Sequence, residues 1–162
     1  MRLNIPPDIE AAARKDRIAA SELAEAVAHC EGACAKIYDA ASDAYTGYHE
    51  IGAITLWVCY KTACGEAELL DYCFNRTRIT GVSRPVADPD ADFGPLLTPI
   101  RDRKLLCCRC GIPPEMRKVL FKYMDRGYYA TAFACPSCGQ VYENKDTIRY
   151  RAERVEPLLE GK

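Results

Sequence analysis

Leu105 to Asp146 reads LLCCRCGIPPEMRKVLFKYMDRGYYATAFACPSCGQVYENKD. Two Cys-x-x-Cys pairs, each followed by glycine (Cys107 to Gly111 and Cys135 to Gly139), bracket a stretch of 24 residues. Two residues between ligands let one tight loop aim both sulfurs at a single ion, and the following glycine lets the backbone turn with positive φ. Two such knuckles facing each other complete a tetrahedral S4 set, which selects zinc or iron over hard cations. Cys107, Cys110, Cys135 and Cys138 are therefore the candidate ligands for one zinc or iron ion. Cys108 falls between two of them, where its side chain should point away, and is read as a spare thiol.

Between the knuckles, Arg117 to Met124 and Tyr128 to Ala134 alternate apolar and polar residues around Asp125-Arg126-Gly127, which predicts a hairpin returning the second knuckle to the first. So short a segment cannot bury a core adequate for independent stability, and a structural metal, contributing on the order of 10 kcal/mol or more, is the usual remedy.

Towards the N-terminus the pattern changes. Pro6-Pro7-Asp8 opens a first helix carrying Ile9, Ala12, Ala13 and Ile18, and Ser21 is placed to cap a second through Leu23, Ala26, Val27 and Cys30, closed by Gly32. Segments rich in Tyr, Ile, Val and Thr then predict four strands, Lys36 to Asp39, Ala44 to Ile51, Ala53 to Lys61 and Glu68 to Ile79. The third places Ile54, Leu56, Val58 and Tyr60 on one face and Thr55, Trp57 and Cys59 on the other, so both faces are substantially apolar and one should be covered by the helices. Gly81 to Lys104, rich in Pro and Asp, breaks this pattern and reads as a linker. The fold expected is α+β: N-terminal helices on an antiparallel meander (1–80), a linker (81–104), and a small metal-binding module with a C-terminal helix (105–162). Limited proteolysis should then cut between Val82 and Arg103.

Composition narrows the function. The net charge is -1, with 12 Lys+Arg against 16 Asp+Glu in residues 1–104 and 10 against 7 beyond, too weak a positive field to argue for nucleic acid or acidic membranes. Met1 to Asp16 has no apolar core of the secretory kind, so ten cysteines suggest a reduced, cytoplasmic chain rather than a disulfide framework. No apolar stretch is long enough to span a bilayer. No Gly-rich phosphate loop, nucleophile triad or acid-base pair stands out, and no enzyme activity is expected. Cys30, Cys34, Cys59, Cys64 and Cys73 read as packing residues. A second metal set from His29, Cys30, Cys34 and a strand cysteine is conceivable, with His29 read instead as a cation at a helix C-terminus.

Cys107 to Lys162, with its CxxCG knuckle, hairpin, CPxCG knuckle followed by Val141-Tyr142, and ending Arg154 to Lys162, resembles a family of short bacterial redox proteins. These are rubredoxin-like in their knuckles and occur in anaerobes near molybdenum-hydroxylase-type enzymes and their maturation factors. The resemblance implies a closing helix over Thr147 to Glu160 and an accessory redox role through the four cysteines, with an oxidoreductase or maturation factor as protein partner. Rubredoxins proper carry a tyrosine soon after the first knuckle and a tryptophan before the second; here Ile112-Pro113-Pro114 follows the first, and the single tryptophan is Trp57. A structural zinc ribbon acting as an adaptor without electron transfer is the alternative.

Each knuckle cysteine supplies one quarter of a closed shell. Cys110→Ser or Cys135→Ser should therefore lower metal stoichiometry and loosen the C-terminal module, whereas Cys64→Ser should do neither; elemental analysis with circular dichroism reads both, and full metal retention in the two knuckle variants contradicts the assignment.

Overall fold

The computed structural model describes residues 1–85 and 103–161, so the larger part of the expected linker, 86–102, lies outside the described residues. The elements are β1 (Arg2–Asn4), α1 (Pro7–Lys15), α2 (Ala20–Gly32), β2 (Lys36–Asp39), β3 (Ala44–Ile51), β4 (Ile54–Ala63), β5 (Glu66–Asn75) and β6 (Arg78–Pro85), then β7 (Leu105–Cys107), β8 (Glu115–Tyr123), β9 (Arg126–Ala134) and β10 (Val141–Tyr142). A closing helical stretch follows as α3 (Lys145–Tyr150), a π-helical turn (Arg151–Val155) and α4 (Glu156–Leu159). The α+β class read from the sequence holds. A six-stranded sheet has the order β1-β5-β4-β3-β2-β7 and a four-stranded one the order β10-β9-β8-β6.

Three layers result. On one face of the larger sheet, Leu56, Val58 and Tyr60 of β4 pack with Ala13, Ile18, Leu23, Val27 and Cys30 from the helical segment, the division of faces expected from the alternation in β4. On the other face, Trp57 meets Val119 and Phe121 of β8, Ala130 and Ala132 of β9, and Ile148 of α3. The smaller sheet thus covers what the helices leave bare. An irregularity in the β4/β5 ladder, where Cys59 faces Asp71 but Tyr60 faces Leu69, makes Leu70 an extra residue. It lets Ala67 and Leu69 share the helix-facing core with Tyr72.

The turns follow backbone chemistry. Cys64 (φ 51°) and Gly65 (φ 81°) link β4 to β5 with both central residues left-handed, as a two-residue hairpin requires, and Gly52 (φ 58°) opens the β3/β4 turn. Asp39, 2% exposed, accepts from the Ala41 amide (3.0 Å) and the Ser42 hydroxyl (3.2 Å) to hold the β2/β3 turn.

Several boundaries differ from the sequence reading. The cap of α2 is Ala19, whose amide donates to Glu22 at 2.7 Å, rather than Ser21, and the left-handed residue beyond the helix is Cys34 (φ 49°), not Gly32. The β8/β9 turn is Met124-Asp125, with Met124 at φ 54°, and Gly127 lies within β9 opposite Lys122. That register keeps Val119, Phe121 and Tyr123 buried together, whereas a one-residue slip would turn all three to solvent. The expected strand Glu68 to Ile79 is two strands, β5 and β6, and β1 pairs in parallel with β5, which the short Arg2–Asn4 run did not announce.

The strands also cross the expected boundaries. Residues 81–85, read as linker, belong to β6, which pairs with β8, and β7 pairs with β2 through Ile37↔Cys107. Each sheet therefore borrows an edge strand from the other half of the chain. The C-terminal helical stretch adds a further tie, since Glu156, 3% exposed, accepts from the Arg76 amide (2.7 Å) and the Thr77 hydroxyl (2.9 Å).

Gly47 in β3 lies against the end of α2 and the segment that follows it: a Cβ there would stand 2.5 Å from Cys30 Sγ and 2.6 Å from the Ala35 carbonyl oxygen. Gly47→Ala should destabilise the protein by about 1–3 kcal/mol in denaturant unfolding. Cys30→Ala should rescue it only in part, because the backbone contact persists; an unchanged midpoint would show that α2 is free to move away.

Candidate metal centre

β7 delivers Cys107 and β9 hands on to Cys135, so the two leading cysteines of the knuckles come from different sheets. The knuckles are built alike. In the first, the Gly111 amide donates to the Cys107 carbonyl (2.8 Å) and the Cys107 amide to the Ile112 carbonyl (2.9 Å); in the second, Gly139 donates to Cys135 (2.9 Å) and Cys135 to Gln140 (2.9 Å). Gly111 (φ 68°) and Gly139 (φ 79°) occupy the left-handed region, as the motif predicted.

The four sulfurs of Cys107, Cys110, Cys135 and Cys138 all lie within 4.8 Å of one another, and Cys107 Sγ is 3.6 Å from Cys138 Sγ. Zinc–sulfur bonds of about 2.3 Å in a tetrahedron require sulfur–sulfur edges of about 3.8 Å, so the donor set and its spacing fit one ion. The group could hold a metal without moving the backbone. Cys107 and Cys135 are buried and Cys110 and Cys138 half-buried, resting on Ile37, Leu105, Phe133 and Tyr142.

Electrostatics prepare the site for deprotonation unevenly. Burial pushes the Cys135 thiol up, but the amides of Cys138 and Ser137 and the neighbouring thiols of Cys107 and Cys138 outweigh it, bringing Cys135 down to about 7. Cys138 is pushed up to about 12, first by burial, although the Gln140 amide opposes it, and Cys107 is raised by burial against the amides of Cys110 and Arg109. Within the cluster, deprotonation is thus easiest at Cys135, whereas Cys107 and Cys138 favour the thiol until a cation displaces the proton.

The first knuckle is also fastened to the larger sheet. The Cys108 amide donates to the Lys36 carbonyl at 3.1 Å, and the Arg109 guanidinium donates twice to the Ala33 carbonyl, at 3.1 and 2.6 Å. The pairing of β7 with β2 and the Arg109 clamp are the parts of the site that sequence reasoning missed; the short apolar run Leu105-Leu106-Cys107 was the available signal for the strand. Cys108 stays outside the four-sulfur group, as expected of a spare thiol.

The conceivable second metal set does not assemble among the described residues. His29 stacks on His49, with ring centroids 4.2 Å apart, and Cys30 is buried beneath Gly47. His29 lies in the last turn of α2, the helix end where the sequence placed it, and burial, then His49, then Arg109 lower it from its ordinary value. Cys59 and Cys73 share a face but are offset, Cys59 facing Asp71 and Cys73 facing Trp57. Among the described residues, no helix is long and apolar enough to cross a membrane.

Residues 103–162 match a family described as a domain of unknown function (DUF7479), a span that contains all four candidate ligands and little beyond the expected C-terminal module. No curated protein and no solved structure matches the chain.

Metal uptake must displace the protons on the ligand thiols, those of Cys107 and Cys138 among them, so apparent affinity should rise with pH, by about 100-fold per unit or more. Competition titrations between pH 6 and 8 measure this, with proton release by calorimetry as the check; a pH-independent affinity would mean that the ion binds elsewhere.

Proposed function

We propose that this protein is a non-enzymatic metal-binding accessory protein of the reducing cytoplasm, in which one zinc ion held by Cys107, Cys110, Cys135 and Cys138 clamps two β-sheets and presents them as an adaptor to a larger protein. The observation that carries this reading is the origin of the ligands: Cys107 ends a strand of the six-stranded sheet and Cys135 follows a strand of the four-stranded one. An ion shared by four thiolates here ties the layers at a point where apolar contact is limited to a few side chains. Structural zinc supplies on the order of 10 kcal/mol to such a site. Zinc also suits the first knuckle, which continues as Ile112-Pro113-Pro114 without the aromatic residue of rubredoxins.

A second reading, an accessory electron carrier for an oxidoreductase or its maturation, is favoured by one feature of the shell. Amides of Arg109, Cys110, Ser137, Cys138 and Gln140 interact with the sulfurs, and such bonds tune the potential of an iron–thiolate centre. Cys110 and Cys138 are also the less buried pair, so the shell has a side towards solvent from which a partner could exchange an electron. Iron in this shell supplies one-electron chemistry, and zinc supplies none.

Protein purified anaerobically from its native host separates the two. Near-stoichiometric zinc without visible absorption is expected for the clamp; near-stoichiometric iron, with a thiolate charge-transfer band that bleaches reversibly on one-electron reduction, would instead establish the carrier. Because Trp57 is buried between the sheets, chelation should also red-shift its emission and lower the melting temperature of the whole chain. Loss of the C-terminal signal alone, with Trp57 unaffected, would contradict a clamp between layers.

A further inference from the structure

A groove of about 930 Å³ opens where the β3/β4 turn, the start of β6 and the β8/β9 turn come together beside Glu160, just beyond α4. Three cations line it, Arg76, Arg78 and Lys122, together with the carboxylates of Glu50 and Glu160. Two of the cations stand where a sheet ordinarily avoids them. Arg78 of β6 is paired directly with Lys122 of β8. Side chains opposed in this way share a face, with Cβ atoms about 4.5–5.5 Å apart, and like charges there are destabilising. Local conflicts of this kind concentrate at functional sites.

Neither charge meets a carboxylate at hydrogen-bond distance among the described residues. The Arg78 guanidinium donates to the Gly52 carbonyl at 2.8 Å, and its paired carboxylate, Glu50, stays 3.7 Å away. Both side chains of that pair are substantially exposed, and such a pair contributes little. Lys122 is exposed and has no ion pair among the described residues. Arg76, by contrast, is engaged, since its Nη2 donates to Glu160 at 3.0 Å and its guanidinium carbon lies 5.6 Å from the centroid of the Tyr123 ring.

This pairing specifies the occupant. A dianion seated between Arg78 and Lys122 matches two charges with two and turns repulsion across the ladder into attraction. A guanidinium fork beside an ammonium point charge suits phosphate, and a phosphate monoester carries close to two negative charges at neutral pH. A carboxylate brings only one charge, and a longer polyanion would be repelled by Glu50 and Glu160 in the same groove. The volume is near the upper end for ligand pockets, far more than a phosphate group fills. Ala53, Ile79 and Met124, the last 74% exposed, also line it and offer apolar contact to an organic body.

We propose that this groove binds a small phosphate monoester, its dianionic head between Arg78 and Lys122 and its organic body against the apolar side chains of the groove. The site draws on both halves of the chain, and it is independent of whether zinc or iron fills the four-cysteine shell.

The test uses the metal-loaded full chain, titrated by calorimetry at low ionic strength with phenyl phosphate, with phenyl sulfate, which keeps the ring but carries one charge, and with inorganic phosphate, which lacks the ring. Phenyl phosphate should bind saturably at one per chain, about tenfold more tightly than either comparison. Lys122→Gln and Arg78→Gln should each weaken it by about tenfold, whereas Glu50→Gln, which removes a competing carboxylate, should strengthen it by about threefold. Because Lys122→Gln also removes the like-charge opposition, it should hold or raise the melting temperature of the ligand-free protein, which separates loss of the site from loss of the fold. The cobalt-substituted absorption spectrum of the four-cysteine centre should not respond to phenyl phosphate. Absence of saturable heat up to millimolar concentration, equal affinity for phenyl phosphate and either comparison, or undiminished binding by a correctly folded Lys122→Gln variant would each overturn the proposal. So would a change in the cobalt spectrum on adding phenyl phosphate, which would place the ligand at the ion instead.

Discussion

Four sulfurs converging from two sheets are the constraint on which the C-terminal half of the molecule depends. β7 contributes three residues to the larger sheet and β10 contributes two to the smaller, and neither pairing could hold so short a strand by backbone hydrogen bonds alone. The knuckles stand beside these strands and fix where each begins and ends. Cys107 and Cys135 are buried at the contact while Cys110 and Cys138 complete the shell from its more open side. An ion there would be surrounded by apolar side chains on one side and by amide N–H groups on the sulfurs on the other, an environment that favours thiolate over thiol once the cation is present.

Exchange of edge strands between the two halves couples the two layers. The helices cover one face of the larger sheet and the smaller sheet covers the other, so Trp57 and Phe121 are buried only because both layers are in place. Polar interactions extend the same coupling. Glu156 ties the closing helix to the β5/β6 turn, and the Glu143–Arg151 pair, both almost fully buried, lies against Phe121, with the guanidinium carbon 3.9 Å from the ring centroid. Breaking such a buried pair by removing one partner costs about 3–5 kcal/mol, so its members are fixed points of the layer contact rather than surface decoration.

Thiol chemistry divides along the same lines. Burial raises Cys30 and Cys73 to about 12 and raises Cys59 as well, which makes these cysteines inert, apolar packing groups at ordinary pH. Cys135 alone among the shifted thiols is lowered, because the amides of Cys138 and Ser137 act on its sulfur together with the thiols of Cys107 and Cys138, whereas at Cys107 two amides do not outweigh burial. The same residue type thus serves packing at Cys30, Cys59 and Cys73 and candidate ligation at the knuckles, whereas Cys34 and Cys64, read from the sequence as packing residues, are exposed in left-handed turn positions.

The ligand set, the two knuckle turns, the α+β class and most strand limits were legible in the sequence because each rests on local chemistry: Cys-x-x-Cys-Gly spacing, two-residue periodicity, and turn residues such as Cys64-Gly65 and Gly52. Register and partnership were not. Alternation in Arg78–Pro85 cannot say that β8 lies beside it, nor can Leu105-Leu106-Cys107 say that β2 does, since strand pairing is decided by which apolar face remains uncovered after the rest has packed. The sequence by itself singled out four cysteines as one group that could hold a metal; only the tertiary structure decided that this group joins two sheets, because that depends on contacts between residues far apart along the chain.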